Sequence, residues 1–385
     1  MISNRANNVK SFMVMDVMAR SGEIERAGEE VVHLEVGEPD FDTPEVIRES
    51  AIAAMRSGKT HYTHALGLLE LREAICEHYA NEYGVRLTPD RILITCGTSP
   101  GMLLMMLSIL EPGDEIILSN PRYACYQNFV TAAGGVVVDV RTAPEDGFRY
   151  RPEAIREALG PRTKGILINS PSNPTGIVMD DRHLEEIAAF EKPFIISDEI
   201  YHGLAYGEKA RSILEFTDNA FVINGFSKLY AMTGWRLGYV IFPRAFASCM
   251  ERMHQSFMIS ASHFAQIAAV TALREARPEI ERMVATYDRR RVYMIRRLRE
   301  LGLKIHVEPK GAFYVFADAR AFCADSYQEA FRILNQARVG VTPGIDFGSG
   351  GEGFLRFSYA NSIENIEKGM DRLGEYFRSR LTERG

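Results

Sequence analysis

The sequence predicts an α/β protein, and three observations carry that prediction. Short apolar, β-branched runs recur between helical stretches, one long amphipathic helix follows them, and strand-like segments and a helix return after it. The chain of 385 residues exceeds one ordinary domain and is 46% apolar, so a large domain with a smaller companion is expected.

The runs are Ile92-Leu93-Ile94, Ile116-Ile117-Leu118, Val136-Val137-Val138, Ile166-Leu167-Ile168, Phe194-Ile195-Ile196 and Phe221-Val222-Ile223. Strands so uniformly apolar are buried on both faces, as in a parallel sheet covered by helices. From about Pro278 to Leu301, Ile280, Met283, Val284, Tyr287, Met294, Ile295 and Leu298 recur at helical spacing, which predicts one long helix leading into the second domain. Beyond Gly302, Phe313-Tyr314-Val315-Phe316 and Phe354-Leu355-Arg356-Phe357 read as strands, and the chain from about Ile363 as a helix. This last part is therefore α+β.

The formal net charge of −6 is spread over both signs, without a polybasic block, which argues against nucleic acid or an anionic membrane as partner. Cys76, Cys96, Cys125, Cys249 and Cys323 lie far apart and form no C-x-x-C pair, which fits a reducing compartment and neither a disulfide framework nor a zinc site. The start of the chain lacks a cationic then apolar leader pattern. The longest apolar stretch, near Met102 to Leu110, is about half the roughly 20 residues of a membrane span. A cytoplasmic protein that binds small molecules is expected, with no metal, since the histidines show no ligand spacing and His61 and His64 read as rim or packing residues. Gly348 to Gly353 fits G-x-G-x-x-G but precedes a strand instead of linking strand to helix, so it reads as a flexible loop.

The most informative segment runs from Gly225 to Gly238, GFSKLYAMTGWRLG. It follows an apolar strand and sets Lys228 among small residues, with Arg236 eight positions on. A lysine in a confined, partly dry site loses its proton and attacks carbonyls. The segment resembles the cofactor-lysine signature of the class I/II aminotransferases, the aspartate aminotransferase-like branch of the fold type I pyridoxal 5′-phosphate (PLP) enzymes. Further segments in the family's order extend the resemblance over nearly the whole chain: Leu34-Glu35-Val36-Gly37-Glu38-Pro39-Asp40-Phe41, Cys96-Gly97-Thr98-Ser99-Pro100-Gly101, Pro121-Arg122-Tyr123-Ala124-Cys125-Tyr126, Asn169 to Gly176, Ser197-Asp198-Glu199-Ile200-Tyr201 and Phe354 to Ser358.

The resemblance implies an aminotransferase that moves an α-amino group between an amino acid and a 2-oxo acid by a ping-pong mechanism, with PLP held on Lys228 as an imine. It implies that the Gly97, Thr98 and Ser99 turn, Ser227 and Arg236 hold the phosphate, with Tyr62 reaching in from a second subunit, hence a homodimer with shared active sites. Tyr123 is expected to stack on the pyridine, Asp198 to pair with its nitrogen, and Asn173 and Tyr201 to bond its phenolic oxygen. Gly37, Asn173 and Arg356 are expected to bind the substrate carboxylate, and Lys228, Asp198 and Tyr201 to carry the catalysis.

The implied fold is a large PLP-binding domain over residues 45–285, with a mostly parallel buried sheet of about seven strands flanked by helices. A smaller α+β domain combines the N-terminal arm, 1–44, with the C-terminal part, 286–385. Two positions depart from patterns common among relatives: Gly225, where many have a phosphate-binding serine, and Ser99, where a subgroup using aspartate has a lysine. The same cofactor grip also serves carbon–sulfur β-lyases, and a PLP-binding regulator is the reading from another class. The latter needs a DNA-binding region, and no basic recognition helix precedes Gly37.

Overall fold

The computed structural model describes residues 2–384, with side chains placed through residue 380; Met1 and Gly385 lie outside it. Helices α1 (Asn4–Asn8) and α2 (Met13–Arg26) open the chain, followed by β1 (Val32–His33), α3 (Glu45–Arg56) and α4 (Leu69–Tyr83). An alternation then runs through β2 (Ile92–Thr95), α5 (Thr98–Ile109), β3 (Glu115–Asn120), α6 (Tyr126–Ala132), β4 (Val136–Arg141), α7 (Pro152–Ala158), β5 (Thr163–Asn169), α8 (Asp181–Ala188), β6 (Phe194–Asp198), β7 (Ala220–Gly225) and β8 (Gly238–Ile241). Next come α9 (Ala247–Phe257), α10 (His263–Glu275), α11 (Arg277–Glu300), β9 (Tyr314–Asp318) and α12 (Ser326–Ala337). The chain ends with β10 (Val339–Gly340), β11 (Thr342–Pro343), β12 (Phe354–Ser358) and α13 (Ile363–Arg384).

The central sheet has seven strands in the order β2-β8-β7-β6-β5-β3-β4. Neighbours are parallel throughout except β8, which is antiparallel to both β2 and β7. The continuous apolar runs follow from this placement, because alternate side chains enter different cores. Ile92, Ile94, Ile195, Ala220 and Val222 pack toward α3, α4 and α10; Leu93, Ile196, Phe221 and Ile223 pack toward α5, α6 and α9. Burying each such Ile, Leu, Val or Phe side chain contributes roughly 1.5–3 kcal/mol over leaving it exposed.

Two expectations are corrected. Val136-Val137-Val138 is not buried on both faces: β4 is the sheet edge, and Val136 is 46% exposed. The glycine-rich stretch after Phe347 is a docked turn, not a free loop, because Gly350 N–H donates to Asn120 Oδ1 at 2.8 Å and Gly351 is buried.

The C-terminal strands form an antiparallel sheet in the order β11-β12-β9. The N-terminal segment joins them: β1 runs parallel to β10, and Ser358 N–H donates to Leu34 O at 2.7 Å. Helix α11, 24 residues long, belongs to both parts. Its Ile280 and Met283 enter the core of the large sheet, whereas Tyr287, Met294, Ile295 and Leu298 enter the core under the small one. No described helix is long and apolar enough to cross a membrane.

Candidate active site

Open α/β sheets bind ligands beyond the carboxyl ends of their parallel strands. Here β5 ends at Asn169, β6 at Asp198 and β7 just before Ser227 and Lys228, around one cavity of about 350 Å³. Gly37, Thr98, Ser99, Tyr123, Asn173, Asp198, Tyr201, Ser227, Lys228, Arg236 and Arg356 all line it. Residues from opposite ends of the chain are thus brought to one place.

Lys228 projects from the turn after β7, and its Nζ donates to Gly37 O at 2.6 Å. Loss of solvent around the amine, with Arg356 and Arg236 nearby, lowers its pKa from the usual 10.5 to about 8, against the opposing pull of Glu38 and Asp198. A usable fraction of the amine is therefore neutral near physiological pH.

Asp198 closes β6 with its carboxylate buried at the cavity floor. Burial raises its pKa to about 6, opposed by the Tyr126 hydroxyl at 2.7 Å, the Ile200 N–H at 3.2 Å and Lys228. Asn169 sets the neighbouring turn: its Nδ2 donates to Asp198 O at 2.9 Å while its Oδ1 accepts from Asn173 N–H at 2.8 Å.

Arg356 lies in the middle strand of the small sheet and is 2% exposed. Nη1 donates to Asn173 Oδ1 at 3.0 Å, and Nη2 to Glu35 O at 2.7 Å and Thr342 Oγ1 at 3.0 Å. Its Nε has no hydrogen-bond partner, and the acceptors of its other nitrogens are an amide oxygen, a backbone carbonyl and a hydroxyl, none of them charged. A buried cation satisfied only by neutral acceptors is an anion site, since the missing counter-charge is costly to leave out. The guanidinium sits 4.2 Å from the Tyr314 ring centroid, and Tyr314 shares a 2.8 Å hydrogen bond with Tyr201. A side chain at Gly37 would come within 2.6 Å of that Tyr314 hydroxyl, which explains glycine there.

Gly97, at φ 99°, caps the start of α5, and no side chain caps that N-terminus. The helix start keeps open N–H groups and partial positive charge. A Cβ at Gly97 would stand 2.7 Å from Arg236 Nη2, so glycine admits the guanidinium over the turn. Open N–H groups, the hydroxyls of Thr98, Ser99 and Ser227, and a guanidinium make up the donor set a phosphate dianion requires. The acidic residue, the tyrosines and the softened lysine around it suit the rest of PLP.

Two expected residues do not line this cavity: Gly97, which stands behind it against Arg236, and Tyr62, which is 80% exposed. Sequence reasoning also missed residues that matter to the geometry. Tyr126, the first residue of α6, buttresses Asp198 and meets the Tyr123 ring edge to face at 5.2 Å. Tyr314 supports Arg356 and Tyr201 and read only as strand. Phe12, Met15 and Met18, which wall the cavity from the N-terminal arm, carried no local signal.

The family model for aminotransferase class I and II matches residues 29–373. A (5-formylfuran-3-yl)methyl phosphate transaminase of Methanocaldococcus jannaschii is 43% identical over 380 residues, covering 98% of this chain and 99% of the relative. An aspartate/prephenate aminotransferase of Thermus thermophilus is 40% identical, covering 96% and 97% of the two chains. The solved structure of a Thermus thermophilus aspartate aminotransferase with maleate superposes with a TM-score of 0.94 at 38% identity, covering 97% of this chain and 99% of its own.

Proposed function

Since the chain belongs to the class I and II aminotransferases, which are PLP-dependent enzymes, we propose that this cavity holds PLP on Lys228 and exchanges the α-amino group of an amino acid for the oxo group of a 2-oxo acid. The observation that carries the assignment is the meeting, in one cavity, of a lysine with a lowered pKa, a buried carboxylate and a buried arginine without a counter-ion. When bound, PLP supplies an electron sink for negative charge developing at the substrate α-carbon.

The residues divide the remaining work. Arg236, Ser227, Thr98, Ser99 and the Gly97 turn hold the phosphate. Tyr126 and the Ile200 N–H hold the Asp198 carboxylate in place, where it would pair with the pyridine nitrogen and keep it protonated. Tyr123 would cover the ring, and Tyr201 with Asn173 would donate to the phenolic oxygen. Arg356 grips the substrate carboxylate, with Gly37 alongside, and so presents the α-hydrogen to Lys228 Nζ. That amine, with its lowered pKa, would be the base positioned to take the α-proton and to give it back, a step worth roughly 10²–10⁴-fold.

The same reading assigns a cytoplasmic homodimer in which exposed Tyr62 serves the site of the partner subunit, and a division into 1–44, 45–285 and 286–385. It is supported by the free cysteines and by the two cores joined through α11. The test is spectroscopic and chemical. Purified protein with PLP shows a visible absorption band that hydride reduction fixes covalently on Lys228, and amino-group transfer requires an added 2-oxo acid. A protein that binds no PLP, or forms the link elsewhere, defeats the proposal.

A further inference from the structure

Two sides of the cavity are polar and accounted for; the third is not. It is formed by Phe12, Met15 and Met18 of the N-terminal arm, with Met102 of α5 and Phe129 of α6. Met15 is 53% exposed and Met18 37%. Helix α2 already buries one apolar face, Val14, Val17 and Ile24, of which Val17 and Ile24 pack with Leu334 of α12. Met15 and Met18, three residues apart, form a second apolar strip that opens on the cavity instead of on protein. A helix with one buried face ordinarily carries polar residues on the other.

This wall is fixed in place. Asp346 accepts from the N–H groups of Met13 and Val14 at 2.9 and 3.2 Å, pinning the start of α2. Phe12 meets Tyr123 edge to face at 5.8 Å, which sets the apolar wall beside the ring expected to cover the cofactor. The charges that line the cavity point the same way. Its cations are Lys228, Arg236 and Arg356, each already engaged, and its remaining acid besides Asp198 is Glu38, which accepts from the Thr233 hydroxyl. No cation of this chain that lines the cavity is left for a second carboxylate, and Glu38 repels one.

Resting on the assignment of this cavity as an amino-acid site, we infer that the side chain of the amino donor is large and apolar, aromatic or long aliphatic, seated against Phe12, Met15, Met18 and Met102. Acidic side chains are disfavoured by missing charge, small ones by unfilled apolar wall. Three methionines make the wall adaptable, so the acceptance is broad within the apolar class.

The experiment measures binding without turnover. The PLP-loaded protein is titrated calorimetrically with unreactive carboxylates that share one carboxyl and differ beyond it: 3-phenylpropionate, 4-methylpentanoate and succinate. The expected result is that 3-phenylpropionate binds at least about tenfold more tightly than succinate, which is about 1.4 kcal/mol. Succinate binding as tightly or more tightly overturns the inference and leaves the aminotransferase assignment standing. Failure of all three to bind also overturns the inference, while the reducible link to Lys228 and acceptor-dependent transfer decide the aminotransferase assignment separately. The double substitution Met15→Ala, Met18→Ala, at exposed positions, is expected to bring the preference for 3-phenylpropionate down severalfold; an unchanged ratio overturns the role of this wall. The ratio of kcat/KM for phenylalanine over aspartate shifts in the same direction.

Discussion

Arg356 Nη1 donates to Asn173 Oδ1 across 3.0 Å, tying the middle strand of the small sheet to the turn after β5 of the large one. The guanidinium is held by neutral acceptors, so its charge stays available to a ligand while its direction is set. Replacing Arg356 with Ala removes a buried charge partner of the substrate, a loss of about 2–5 kcal/mol, or roughly 30- to several-thousand-fold in affinity. Steady-state KM for the amino acid is expected to rise accordingly, with the PLP absorbance retained; loss of cofactor with unchanged KM would refute the role.

Lys228 carries a second prediction through its lowered pKa. In the cofactor-free protein, modification of this amine by an amine-selective reagent is expected to follow a titration with a midpoint at about 8, well below 10.5. Peptide mapping across pH gives the midpoint. Lys228→Ala is expected to keep non-covalent PLP and to lose both the reducible link and amino transfer.

Asp198 is predicted to act against stability and for binding. Its folded pKa, about 6, lies above the unfolded value of 3.8 because the carboxyl is buried. Such a group favours folding below its unfolded pKa and loses that contribution as pH rises through about 6. Asp198→Asn is therefore expected to raise the Tm of cofactor-free protein at pH 8, by a margin that narrows toward pH 4, while lowering PLP affinity at least about tenfold, or about 1.4 kcal/mol. Melting curves with and without PLP separate the two effects.

His33 gives a pH dependence of the same sign in a higher window. It bonds buried Glu35 at 2.7 Å and Glu25 at 3.0 Å, and chiefly the hydrogen bond to Glu35 raises its pKa from 6.5 to about 9. The stabilisation is complete below about 6.5 and is lost as pH climbs through about 9. Thermal melting between pH 6 and 10 is expected to show this decline, and His33→Asn to flatten it.

Gly225, where many relatives have serine, has no space for a side chain. A Cβ there would lie 2.9 Å from Gly238 Cα, at the start of the neighbouring strand β8, and 3.0 Å from Leu237 O just before it. Gly225→Ser is expected to destabilise by about 1–3 kcal/mol, as overpacking does, instead of improving phosphate binding. Chemical denaturation and PLP titration of the variant decide between those outcomes.

Most of the large sheet was legible because continuous Ile, Leu and Val runs have few alternatives to a buried strand. Strand β8 was not, since Gly238–Ile241 follows directly on the lysine segment without a turn signal. Edge strand β4 was misread because Val136-Val137-Val138 is as apolar as a central strand; the number of neighbours is a property of the sheet, not of the run. At the site, residues announced by turns, such as Asn173 and Gly97, were legible. Tyr314, Met15 and Met18 were not, because which distant element a strand or helix face meets leaves no trace in local periodicity.

Helix α11 gives the two halves of the molecule a common axle. Its 24 residues extend about 36 Å, and its apolar side chains change allegiance from one core to the other between Met283 and Tyr287. Lys228 and Asp198 stand on the large side of that crossover and Arg356 on the small side, so one continuous helix holds the two halves of the site in register. A helix-breaking residue near Val284, whose side chain packs against both cores, is expected to loosen that register.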